Sequence, residues 1–256
     1  MSGKSSNPQS VDRQNMTASP RAYARAGGAL YLVIIVLGMF AEGYVNHQLI
    51  ISGDAAATAH NVMASRSLWR VGVAADTIVP LCALPLVMIF YVLLKPVSKS
   101  LVLVSVFFNL VSLSVEAVSK LYLLAYTAPL DDAAYLAAFD PRQLQALAYL
   151  TLKSHDIAFN IALIFFGCAC LVDGYLIFKS RYLPKVVGLL MQIAGGCYLF
   201  GCFAALFAPA LFDRISPEIL IPPFVGESTL CLWLLIKGVD MAKWRERTGT
   251  DTVGFS

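Results

Sequence analysis

Charge is scarce in this chain. Asp, Glu, Lys and Arg make up 14% of its 256 residues against 58% hydrophobic, where a soluble domain carries roughly a quarter charged. Histidine is scarcer: His47, His60 and His155 are the whole complement, and no two stand three or four residues apart. No single helix can therefore offer a paired-imidazole metal site. The six cysteines (Cys82, Cys168, Cys170, Cys197, Cys202 and Cys231) form no CxxC and no Cys/His cluster, so zinc-module and disulfide-framework readings lose their basis. They read as small apolar residues. GxSxG, P-loop and dinucleotide-binding patterns are also missing, and no stretch is left over for a soluble nucleotide-binding domain.

What is present is apolar length. Six runs stand out: Ala26–Val45, Leu68–Leu94, Leu101–Tyr126, Ile157–Phe178, Val186–Phe207 and Ile219–Ile236. Each approaches the ~20 residues that carry a helix across ~30 Å of hydrocarbon, and backbone in lipid must satisfy its own hydrogen bonds. The expected fold is all-α, a six-helix transmembrane bundle over residues 21–240. It is flanked by a disordered tail at 1–20 and a basic, disordered tail at 241–256. The first run is longer than a signal-peptide core and reads as a retained helix. Placing both tails in the cytoplasm puts most basic residues on that side and leaves only Arg66, Arg70, Arg142, Lys153 and Arg214 opposite. That asymmetry is the positive-inside pattern of an inner-membrane protein. It also accounts for the net charge of +3 without nucleic acid.

The two longer loops, 46–67 and 127–155, then lie outside. Asp54 before an Ala-rich stretch, and Asp140 followed by Pro141, predict a short capped helix in each. The second carries Leu144, Leu147 and Leu150 on an apolar side and can run on into the fourth span. Pro80 and Pro85 interrupt the second span and are expected to kink it. Cys197, Gly201 and Ala205, four residues apart, give the fifth span a small-residue packing face.

Few charges means that those inside the runs are informative. At 100° per residue, Ser105, Asn109, Ser112, Glu116 and Lys120 fall on one stripe of the third span. A charge at a helix centre costs ~2.5–3.5 kcal/mol on an insertion scale, so this stripe should face the bundle interior. Glu116 and Lys120 can pair at i,i+4. Asp76, Asp156, Asn160 and Glu227 are placed by chain direction in the same outer half, with Glu42 and His155 near helix ends. Asp173 is the exception, near the inner end of the fourth span. Ionisable groups at membrane depth are candidate functional residues. The expected site is therefore a polar cavity open to the outside, lined by Asp76, Asn109, Glu116, Lys120, Asp156, Asn160 and Glu227, with Glu42 and His155 as secondary members. No metal is assigned, and no cofactor or catalytic residue is identified.

Several stretches resemble a known family. They are Gly53-Asp-Ala-Ala-Ala-Thr-Ala59, Tyr91-Val-Leu-Leu-Lys-Pro-Val97, Tyr135 to Leu147, Tyr175-Leu-Ile-Phe-Lys-Ser180 with Tyr182-Leu-Pro184, and Gly226-Glu227 followed by Leu232-Trp-Leu-Leu235. In order, from about Arg21 to Asp240, they are similar to the domain of unknown function 4386 family of bacterial multi-pass membrane proteins. The resemblance implies a membrane protein of this length and makes Asp54 and Gly226-Glu227 look like fixed features. It implies no activity or cofactor.

Three functions stay open. The first is binding or transport of a small molecule, ion or lipid headgroup, in which Asp76 and Glu227 could take up a proton in a desolvated site. The second is an intramembrane enzyme, which requires His155 to converge with two acids. The third is a scaffold subunit, which requires a filled interior. The small size of the domain also suits a homodimer.

Overall fold

The computed structural model describes residues 19–131 and 134–249. Residues 1–18 and 250–256, most of the two expected tails, lie outside the described residues. Helix α1 (Pro20–Gly38) starts where the Ser19 hydroxyl accepts from the Ala22 N–H and Pro20 takes the first turn. Past Gly38 the helix widens into a π-helical stretch, Met39–Asn46, and closes with the turn His47–Leu49. π-Helical turns are rare, and they rotate the side chains they carry out of α-helical phase. Glu42 is in this one.

The expected loop helices both form. Asp54 Oδ1 accepts from the Ala57 N–H at 2.9 Å to cap α2 (Ala55–Ala64). Helix α3 (Arg66–Leu94) runs through Pro80 and Pro85, and α4 is Lys99–Ala125. Asp140 and Gln143 form a reciprocal capping box that starts α5 (Pro141–Ser180), which spans roughly 60 Å at 1.5 Å per residue. Leu147 and Leu150 face outward, and Ala148 and Leu152 make the packed side of its first turns. Helices α6 (Lys185–Phe207), α7 (Pro209–Ile215), α8 (Ile221–Ile236) and α9 (Met241–Thr248) complete the described chain. The last corrects the sequence reading of a disordered tail from 241. Asp240 caps it through two N–H groups, and Trp244 is buried against Tyr182.

Six of these helices are long and apolar enough to cross a membrane: Pro20–Leu49, Arg66–Leu94, Lys99–Leu130, Pro141–Ser180, Lys185–Phe207 and Glu218–Ile236. Their outward faces carry Leu81, Met88, Phe107, Leu121, Val186 and Phe207, all more than half exposed. The protein is a multi-pass membrane protein. The spans close into a ring in the order α1, α3, α4, α5, α6, α8 and back to α1. Chain neighbours are thus ring neighbours, and the last span completes the wall against the first.

Between apolar helices in lipid, close backbone approach and interhelical hydrogen bonds replace the hydrophobic effect. The α5–α6 contact uses the first of these. Gly174 opposes Gly188 and Gly167 opposes Gly195, and a Cβ on Gly188 or Gly195 would stand 2.6 Å from the opposed carbonyl oxygen. This seven-residue glycine register makes the seam, rather than the Cys197–Gly201–Ala205 face that the sequence suggests. The α1–α8 seam is pinned near its terminal end, where a Cβ on Gly28 would meet the Leu235 backbone N at 2.5 Å. At that end, the Tyr182 hydroxyl donates to the Leu93 carbonyl oxygen at 2.5 Å, and burial raises its pKa. Gly238 meets Arg21 there too, so both ends of the spanning chain share one rim. The opposite, loop-bearing rim is called distal below.

Candidate functional site

A cavity of about 420 Å³ lies inside the ring, with wall residues from all six spanning helices. Most of the wall is apolar: Ile34, Val79, Leu86, Phe90, Leu163 and Met191 belong to it. Into this surface project five carboxyl groups, from Glu42, Asp76, Glu116, Asp173 and Glu227. The described wall holds no lysine, arginine or histidine. The exposed wall residues, Met39, Gly43, Leu220 and Phe224, all come from the distal parts of the first and last spans. The cavity therefore has a lateral mouth between the first and last spans.

The distal carboxyls form one cluster with two nitrogen groups. Lys120 Nζ stands 2.7 Å from Asp76 Oδ2 and 3.8 Å from Glu116 Oε1, and also lies over the Phe159 ring at 4.8 Å. The expected Glu116–Lys120 pair exists, but the nearer partner comes from α3. His155 Nδ1 is 3.2 Å from the Ser119 carbonyl oxygen. A carbonyl can only accept, so Nδ1 carries the hydrogen and Nε2 is left for the cavity side. Nε2 lies 3.7 Å from Glu42 Oε1, an approach too long for a hydrogen bond. The other Glu42 oxygen accepts from Asn46 Nδ2 at 2.8 Å. Pro80 has no N–H to offer the Asp76 carbonyl, which leaves a further backbone acceptor at this level.

Two other levels lie deeper. Glu227 Oε1 accepts from the Tyr198 hydroxyl at 2.5 Å, and the Tyr31 hydroxyl is its second partner. Asp173 lies beside Ser105 and Asn109, yet its buried Oδ1 has no hydrogen-bond partner. From Phe159 to Asp173, the α5 residues at the two ends of the wall, the helix rises roughly 21 Å, so the cavity reaches through about two thirds of the ~30 Å hydrocarbon thickness. The stripe on α4 faces inward as its periodicity predicts, with Ser105, Asn109, Ser112 and Lys120 buried. Ser112 Oγ also donates to the Ala162 carbonyl at 2.8 Å.

Residues 26–238 match the family described as domain of unknown function (DUF4386). The chain belongs to that family. It is also 31% identical, over 161 residues, to a protein of Archaeoglobus fulgidus described as an uncharacterized protein, a match covering 60% of this chain and 92% of the relative. No solved structure matches the chain. The family match takes in every cavity carboxyl. It also takes in the two features singled out by resemblance, and both have structural work. Asp54 caps α2. Gly226 brings α8 against the Leu190 carbonyl, where a Cβ would stand at 2.9 Å, and so sets Glu227 opposite Tyr198.

Some expected members lie elsewhere. Asp156 pairs with Lys153 at 3.3 Å on an exposed face, and Asn160 Nδ2 donates to the Asp156 backbone carbonyl. Neither belongs to the cavity wall. The reason is helical phase: α5 turns His155 inward, and its successor lies 100° away. Lys120 holds the cluster from behind and lines a separate space of about 300 Å³ with Thr77, Pro80 and Leu84. His47 and His60 are exposed. Asp173, Tyr31 and Tyr198 are wall residues that the sequence reading did not include, and Glu42 and His155 move from its margin to the centre.

Proposed function

We propose that this protein binds an amphiphile with an apolar body and a cationic, hydrogen-bond-donating head such as a protonated amine. It enters from the lipid through the mouth between α1 and α8, and transport across the bilayer is the process that binding serves. The observation that carries this reading is the lining: an elongated apolar cavity with five carboxyl groups and, among the described wall residues, no basic side chain. Pockets of about 300–1,000 Å³ with apolar walls and a few placed polar groups are the usual form of small-molecule sites. The open interior also counts against a purely structural subunit. With the positive-inside orientation, the mouth faces the outer leaflet of the plasma membrane.

The test is thermal unfolding of the protein in nanodiscs with a long-chain alkylamine, the matching alcohol and the matching fatty acid. The amine should raise the unfolding temperature, the fatty acid should not, and Glu227→Gln should reduce the amine's effect. Equal shifts from all three, unchanged in Glu227→Gln, would sink the reading. The intramembrane-enzyme alternative is favoured by one observation, the meeting of His155 with Glu42 and Asp76.

A further inference from the structure

Glu42 from the π-helical stretch that follows α1, Asp76 from α3 and His155 from α5 each present one ligand-type atom, all within 4.8 Å of one another. The imidazole is buried, with only 4% of its side chain exposed. Its Nε2 faces Glu42 Oε1 across 3.7 Å, an oxygen that is itself buried and without a hydrogen-bond partner. An imidazole nitrogen and a carboxylate oxygen held face to face need a positive species between them, a proton on Nε2 or a metal ion. Lys120 is paired with Asp76 and Glu116.

Charge points the same way. Fully ionised, Glu42, Asp76 and Glu116 bring three negative charges and Lys120 one positive, so with a neutral His155 the cluster is two positive charges short. Uncompensated charge at membrane depth is costly. One divalent ion would bring the sum to zero.

We propose that Glu42, Asp76 and His155 form a binding site for a divalent transition-metal ion of the Zn²⁺ class. One imidazole and two carboxylates suit zinc and its first-row neighbours, while Mg²⁺ and Ca²⁺ favour all-oxygen sets. Each ligand already has the outer partner that such sites use for orientation. Ser119 fixes the imidazole tautomer, Asn46 holds the second Glu42 oxygen, and Lys120 holds Asp76. Three protein ligands leave a coordination position free, as in sites where the metal meets water or a substrate. Glu42 and Asp76 are themselves cavity wall. The site does not depend on what the deeper cavity takes up.

The full chain in nanodiscs, stripped with a chelator, would be titrated with Zn²⁺ by calorimetry, with metal content read by elemental analysis. One ion per chain is expected, undisturbed by excess Mg²⁺. Affinity should fall at least about tenfold in Glu42→Gln and in His155→Ala, in the range by which metal-site contacts tune affinity. Glu227→Gln, in the same cavity but away from the cluster, should bind as the wild type does. A folding defect in the variants is bypassed by loading the wild type with Mn²⁺ and recording electron spin-echo modulation, where coupling to one imidazole nitrogen is expected. Absence of uptake by the wild type would mean that protons neutralise the cluster. Uptake unchanged in His155→Ala, or no nitrogen coupling, would mean adventitious metal elsewhere. Any of these overturns the proposal, and none of them alters the alkylamine result.

Discussion

Lys120 is the residue on which the distal cluster balances. Its side chain is 2% exposed and that of its nearest acid, Asp76, 5%, so removing it leaves a buried carboxyl without its partner. Breaking one side of a buried pair costs about 3–5 kcal/mol, whereas replacing both sides is much milder. Lys120→Met should therefore be strongly destabilised in denaturant unfolding, and Asp76→Asn in the same chain should recover part of the loss. If the double variant is as unstable as the sum of the singles, Lys120 acts through packing on Phe159 instead. The inward stripe on α4 was legible because one helix determines its own phase. The Asp76–Lys120 pairing was not, since nothing in the spacing of two separate helices says which side chains meet. Asp156 was misplaced for a related reason: a neighbour in sequence is a quarter-turn away in space.

At the scale of the helix, the α5–α6 seam offers an internally controlled experiment. Gly195→Ala places a methyl 2.6 Å from the Gly167 carbonyl oxygen, while a Cβ on Gly196 meets nothing within 4 Å. Helix propensity favours alanine by up to about 1 kcal/mol at both positions, so their difference isolates packing. Gly195→Ala should lower the unfolding temperature and Gly196→Ala should leave it level or raise it. Equal effects would show that the helices can part without cost. All six spans, both loop helices and their caps could be read from apolar length and from Asp54, Asp140 and Pro141. The π-helical stretch could not: a 100° periodicity presupposes the very geometry that Met39–Asn46 abandons. That departure left Glu42 a secondary candidate, and residue spacing reports only on ligands that share one helix, whereas the proposed set comes from three.

For the molecule as a whole, the ring and its cavity follow from neighbour relations among spans, which composition does not encode. For orientation, the distribution of lysines and arginines predicts both termini in the cytoplasm. In a chain freed of its native cysteines, Ser52→Cys should react with a membrane-impermeant maleimide in intact cells, and Lys99→Cys only after permeabilisation. The reverse pattern would invert the protein and turn the cavity mouth towards the cytoplasm. The pin between Gly28 and Leu235 bears on the same question. A vessel clamped at one rim and gaping at the other behaves as a funnel, not an airlock. Whatever enters beside Phe224 leaves by the way it came unless that clamp lets go, so the rate of any crossing would be set by a glycine at the far end from the cargo.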